Sequence, residues 1–173
     1  MRAVDPERYE QAIAVAGLKK KYISELRPKF ALVDDWEERE FWPITDRSGN
    51  KGILWIDLND MVYILPYTLT RGIVDKASGR ARPVICDLCV TQQPGTMAGR
   101  LHISMPFSPE SSRGLLCCAD LACSAHARGK TMSSLRSKAQ LREGLTPEAR
   151  VERLRARLAT LVKDLDAQPI KIA

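Results

Sequence analysis

The apolar positions of this chain follow three patterns along its length. Over residues 5–27, Tyr9, Ile13, Ala16, Ile23 and Leu26 recur at roughly helical steps, which predicts one helix with a single buried stripe. Asp5 can cap it, Pro6 suits its first turn and Pro28 follows its end. Lys19, Lys20 and Lys21 form a basic run on it, short enough to be a solvated face. Over residues 52–74 the composition changes: GILWID and MVYILPYTL are rich in branched and aromatic side chains and predict two strands. Asp57-Leu58-Asn59-Asp60 between them predicts a hairpin turn, and Pro66, with no N–H for a ladder, places part of the second strand at an edge or bulge. Val84-Ile85 and Leu101 to Met105 predict further short strands. The third pattern spans 147–166, where Val151, Leu154, Leu158, Leu161 and Leu165 repeat at three- and four-residue steps behind a Thr146 cap and Pro147. That seam covers barely two heptads, which predicts packing back on the domain rather than dimerisation.

Between the first two patterns, residues 34–46 are acidic and aromatic and predict a loop or short helical turn, with Trp36 and Trp42 anchoring it on a core. Lys76 to Pro83 predicts a basic, flexible connection. The chain therefore predicts an α+β fold: an N-terminal helical segment over 1–33, an antiparallel sheet with the remaining motifs over 34–145, and a C-terminal helix packing on it over 146–173.

Composition narrows the class. A chain of 173 residues fits one domain with a terminal helix and can bury a sizeable core. The balance of 27 Lys and Arg against 21 Asp and Glu, formally +6, favours an acidic partner such as RNA, a ribosome or an acidic protein surface. No apolar run reaches signal-peptide or membrane-span length, so a cytoplasmic protein without membrane attachment is expected. Five cysteines, an odd count, argue against a disulfide framework and toward metal or free thiols.

The candidate chemistry lies in C86-D-L-C89, then 28 residues, then C118-A-D-L-A-C123. Two cysteines separated by two residues point both sulfurs from one tight turn at a common centre. A second pair completes the four ligands that a structural zinc takes, in a tetrahedron with Zn–S of about 2.3 Å. The first pair follows strand-like residues, as in a zinc knuckle, and Ala119 to about Arg128 predicts a short helix bearing the second pair. Knuckle, hairpin and ligand-bearing helix make a treble-clef arrangement holding one zinc through Cys86, Cys89, Cys118 and Cys123. Cys117 adjoins Cys118, and Cys118 is chosen because it keeps the second spacing. His126, three positions after Cys123, can replace Cys123 as a ligand or stand beside the site.

A closed four-ligand site leaves no position for a catalytic water. His102 lies in a strand-like segment, and the Asp34/Asp35 and Asp57/Asp60 pairs sit at turn-like positions that commonly bond local backbone. With no Gly-rich phosphate loop and no nucleophile elbow, no catalytic residue is assigned and an enzyme is not expected.

C-D-L-C-V-T-Q-Q-P-G (86–95) and C-A-D-L-A-C-S (118–124) resemble the C-terminal treble-clef zinc-finger domain of elongation-factor-G-binding proteins, including the FusB-type fusidic-acid resistance proteins. The L-T-P-E-A-R-V-E-R-L-R-A-R-L tail (145–158) is similar to that of actinobacterial members. The resemblance implies a protein that binds elongation factor G and helps release it from the ribosome, with protection against fusidic acid as a consequence. Members have a mixed cysteine and histidine site, and aligning the second motif sets Cys118, Cys123 and His126 opposite its clustered ligands; the Cys86/Cys89 pair fits a four-cysteine variant. The resistance proteins also carry an N-terminal helical bundle, which is expected here to be absent or reduced to one helix.

Arg71, Arg80, Arg82, Arg128, Lys130, Arg136 and Lys138 offer a basic surface for an acidic partner. The same residues support an alternative, direct binding of ribosomal or other RNA. Few aromatic residues interleave with them, against single-strand stacking. A monomer is expected.

Overall fold

The computed structural model describes residues 1–75, 77–105, 111–131 and 144–172. In chain order the elements are helices α1 (Pro6–Val15) and α2 (Lys20–Glu25), then strands β1 (Phe41–Thr45), β2 (Lys51–Leu58) and β3 (Met61–Arg71). After them come β4 (Val84–Ile85), β5 (Gln92–Gln93), β6 (Ala98–Ser104) and β7 (Ser112–Cys118), then helices α3 (Cys123–Ala127) and α4 (Pro147–Asp164). One five-stranded antiparallel sheet runs β1-β2-β3-β6-β7, and β4 and β5 form a separate two-stranded hairpin. The α+β architecture is the expected one.

The single helix expected over 5–27 is two. Asp5 caps α1 by accepting from the Arg8 N–H at 2.8 Å, but Gly17 sits at φ 67°. That left-handed conformation costs glycine little and ends a helix. Leu26 then lies beyond α2 and bridges to Asp46 beside β1.

The segment 34–46 holds more than a loop. A single 3-10 turn at Trp36–Glu38 leads into β1, which buries Phe41 and Trp42 on opposite faces of the sheet. Among the described residues β1 pairs only with β2, and an edge strand tolerates Pro43. The expected hairpin is present: Asn59 and Asp60 have φ 50° and 63° and join Leu58 to Met61 in a two-residue turn. Val62 exchanges both backbone bonds with Ile170 on the flank of β3 away from β2. Period two puts the nitrogen of Pro66 on that flank as well, and β6 pairs with β3 only from Tyr67 onward. Pro66 therefore occupies the unladdered stretch of β3. β7, which the sequence patterns do not suggest, closes the sheet beyond β6.

Alternation along the strands gives the sheet two buried faces. Ile53 and Trp55 of β2, with Trp42 and Ile44 of β1, pack under Val4, Tyr9, Ala12 and Ile13. Leu54 and Ile56, with Phe41, Leu65, Tyr67, Leu101 and Ile103, belong to a second core shared with α4 and the cysteines. The four seam residues within α4 and Leu165 at its C-terminal cap are buried there, and Thr146 caps the other end by accepting from the Ala149 N–H at 3.3 Å. No helix among the described residues is long and apolar enough to cross a membrane.

Candidate metal centre

The C86-D-L-C89 segment turns between β4 and β5. Val90, at φ 60°, donates to the Cys86 carbonyl at 2.9 Å, and Cys86 donates to the Thr91 carbonyl at 3.0 Å. This tight turn brings the Cys89 N–H to 3.5 Å from Cys86 Sγ, a contact that favours a thiolate. The second pair is arranged differently from the expected helix over 119–128. Cys118 ends β7, and Cys123 begins the five-residue α3. Between them Leu121 adopts φ 55° and Asp120 Oδ1 accepts from the Ala122 N–H at 3.0 Å. That turn shortens the helix, so Cys118 comes from a strand end and Cys123 alone from a helix start.

All four thiols are buried. Cys86 and Cys123 Sγ lie 3.8 Å apart, Cys89 and Cys118 Sγ 3.6 Å apart, and the four sulfurs all fall within 4.8 Å of one another. Four sulfurs at about 2.3 Å from a tetrahedral ion are separated by about 3.8 Å. The thiols thus fit one structural zinc, and they would hold it as a closed set. Hydrogen bonds from Cys118 and Cys123 favour the Cys86 thiolate and push its pKa down. The same crowding pushes Cys123 up, first through its contact with Cys118 and also through burial. Sulfurs packed this closely need a cation before all can ionise, so metal binding would release protons.

Cys117 is buried outside this group. Successive residues of β7 face opposite sides of the sheet, and burial pushes the Cys117 thiol up to about 12. His126 is buried in α3. Its Nε2 lies 3.2 and 3.3 Å from the two oxygens of Asp120, and its Nδ1 meets Thr131 Oγ1. Burial alone would lower the imidazole pKa, but the Asp120 carboxylate outweighs it and raises it. Cys118, Asp120 and His126 also come within 4.8 Å of one another. Sequence reasoning passes over Asp87 and Asp120; the only signal is their position inside the two cysteine motifs.

The basic residues do not form one uncommitted surface. Arg128 makes a two-pronged pair with Glu40 at 2.7 and 2.8 Å, and the Glu40 side chain is 0% exposed. The Arg128 guanidinium, partly buried, is therefore already engaged within the chain. Arg71 donates to the Ala119 carbonyl at 3.2 Å and to Asn50 Oδ1 at 2.8 Å, and Lys130 pairs with Glu38. Arg80 and Arg82 are exposed on the connection before β4. Arg136 and Lys138 lie outside the described residues. His102 is exposed on β6, and Asp57, instead of bonding local backbone, pairs with Arg2 and Arg8 at 3.0 and 3.1 Å.

A knuckle, a strand end and a short helix converging on four thiols define a treble-clef zinc finger, here attached to a five-stranded sheet. The chain belongs to the FBP C-terminal treble-clef zinc-finger family, whose sequence model matches residues 25–165. No curated protein and no solved structure matches it.

Proposed function

We propose that this protein binds elongation factor G and promotes its release from the ribosome, with Cys86, Cys89, Cys118 and Cys123 ligating one structural zinc. The observation that carries this reading is the family match over residues 25–165. The closed thiol set supports it, because a zinc with four protein ligands shapes a surface and does not activate water. On this reading His126 braces the site through Asp120, and Cys117 is a packing residue. Arg80 and Arg82 supply the charge that steers an acidic partner, and protection against fusidic acid follows if release is fast enough.

The test is a titration of the zinc-loaded chain against elongation factor G from the same source. Saturable binding at low salt, weakened in Arg80→Ala/Arg82→Ala, is expected. No association at micromolar concentrations refutes it. Binding to ribosomal RNA alone, falling steeply with salt, would replace it with the RNA reading.

A further inference from the structure

The C86-D-L-C89 turn is held from two sides by groups outside the thiol set. On one side stands β7. The Asp87 N–H donates to the Leu116 carbonyl at 2.7 Å, and the Leu116 N–H donates back to Asp87 Oδ2 at 2.6 Å. Leu116 precedes Cys118 by two residues on the outer strand of the sheet. Asp87 therefore ties the turn that carries one cysteine pair to the strand that carries Cys118. On the other side stands α4. Arg157 Nη1 donates to the Asp87 carbonyl at 2.6 Å, and Arg153 Nη2 donates to the Cys89 carbonyl at 3.3 Å. Four residues apart, the two arginines share one face of the helix, flanking the buried Leu154 and Leu158.

We infer that Asp87, Arg153 and Arg157 are positioning residues of the metal centre, and that α4 is part of that centre as well as a cover for the sheet. This rests on the ligand assignment proposed above. The argument is geometric first. A metal site is strongest when its ligands are already converged, and hydrogen-bonded neighbours fix that convergence. Asp87 sets the register of the knuckle against β7, and the arginines fix the carbonyls on either side of Leu88. Charge acts in the same direction. Four thiolates around one divalent cation leave about two net negative charges, which two nearby guanidinium groups stabilise.

The experiment follows zinc release from the full, zinc-loaded chain to a coloured chelator, with thermal melting and the charge-transfer spectrum of the cobalt-substituted protein recorded for each variant. Asp87→Ala and the double variant Arg153→Ala/Arg157→Ala are expected to lose zinc about 10-fold faster or more, with an altered cobalt spectrum. Asp87→Asn keeps an amide oxygen that can accept from Leu116 and is expected to stay close to the parent rate. Thr146→Ala weakens α4 at its capped end, away from the knuckle, and is expected to melt lower without faster release. If Asp87→Ala does not fold, the exposed Arg157→Ala carries the test. Unchanged release in the alanine variants overturns the inference. So does a release rate in Thr146→Ala matching that of the double variant at equal melting temperature. A parent chain that binds no zinc overturns the ligand assignment and this inference together, whereas a zinc-loaded parent with indifferent variants overturns this inference alone.

Discussion

On one face of β2, Ile53 and Trp55 meet a layer of rings and aliphatic side chains; on the other, Leu54 and Ile56 lead into a core that ends in four thiols. The first face is held by apolar contact. Tyr9 stacks on Trp55 at 6.3 Å, Phe30 meets Trp42 at 5.5 Å, and Trp36 packs edge-on against Trp42 at 5.1 Å. Aromatic pairs of this kind add about 1 kcal/mol each beyond the area they bury. Around the thiols the second face's core of strand and α4 side chains gives way to short elements: β4 and β5 have two residues each and α3 has five. Pieces this short bury little apolar area, and a metal supplies the cross-links that a small core cannot. The difference between the faces is where the apolar core stops. On both, long strands close under a helix by hydrophobic burial, and on the second a marginal lobe of two- and five-residue elements closes by coordination.

The largest expected effect follows from that contrast. Structural zinc contributes on the order of 10 kcal/mol in small fingers, so Cys118→Ser or chelation takes metal content from one per chain to none and unfolds the lobe. All three tryptophans lie on the other face. Their emission is expected to stay blue-shifted until a higher denaturant concentration than that at which the far-ultraviolet signal of α4 is lost. A single transition seen by both probes would break the comparison, because the sheet would then be unfolding as one unit with the lobe.

The converse substitution is Trp55→Ala. Trp55 is fully buried, and removing a large ring from a closed core costs about 3–5 kcal/mol. Denaturant unfolding should show that loss while elemental analysis still finds one zinc per chain. Loss of zinc in this variant would show that the faces are not independent.

How much of this was legible in the sequence divides along the same line. The cysteine pairs could be read because their spacing is local, and the β2–β3 hairpin because branched residues flank Asn59-Asp60. α4 carried its cap and its seam in consecutive residues. β1 was hidden by Pro43 and the acidic run before it, and β7, SRGLLCC, by weak alternation. α3 is shorter than the helix expected over 119–128, because propensity sees good helix formers where Asp120 and Leu121 build a turn. The pairing of Arg128 leaves no mark in the sequence because its partner, Glu40, is 88 residues away. Contacts at that separation leave no periodic trace.

That pair joins the two regions, since Glu40 precedes β1 and Arg128 follows α3. The Glu40 N–H also donates to Ser124 Oγ at 3.0 Å. Arg128→Ala leaves a buried carboxylate without its principal cation, and Arg155, at 3.6 Å from Glu40 Oε1, only partly replaces it. Such a change costs about 3 kcal/mol. The double variant Arg128→Ala/Glu40→Gln removes the stranded charge and should recover part of the loss in urea unfolding. No recovery would mean that packing by Arg128, not charge, links the faces.

The smallest effect sharpens the comparison by pH. Asp57, its side chain 6% exposed, anchors the N-terminal segment through Arg2 and Arg8. Burial alone would raise its pKa, but hydrogen bonds from the two guanidinium groups outweigh burial and hold the carboxyl below its ordinary 3.8. A carboxyl with a depressed folded pKa binds protons more readily in the unfolded chain. Its stabilisation is therefore complete above 3.8 and disappears as pH falls through the lower folded value. The stability difference between the parent and Asp57→Asn should be constant near neutrality and narrow in strong acid. Tryptophan emission follows this change directly, because the anchored segment covers the aromatic face. A difference that stays the same from neutral to strongly acid pH would mean that Asp57 acts there by shape and not by charge.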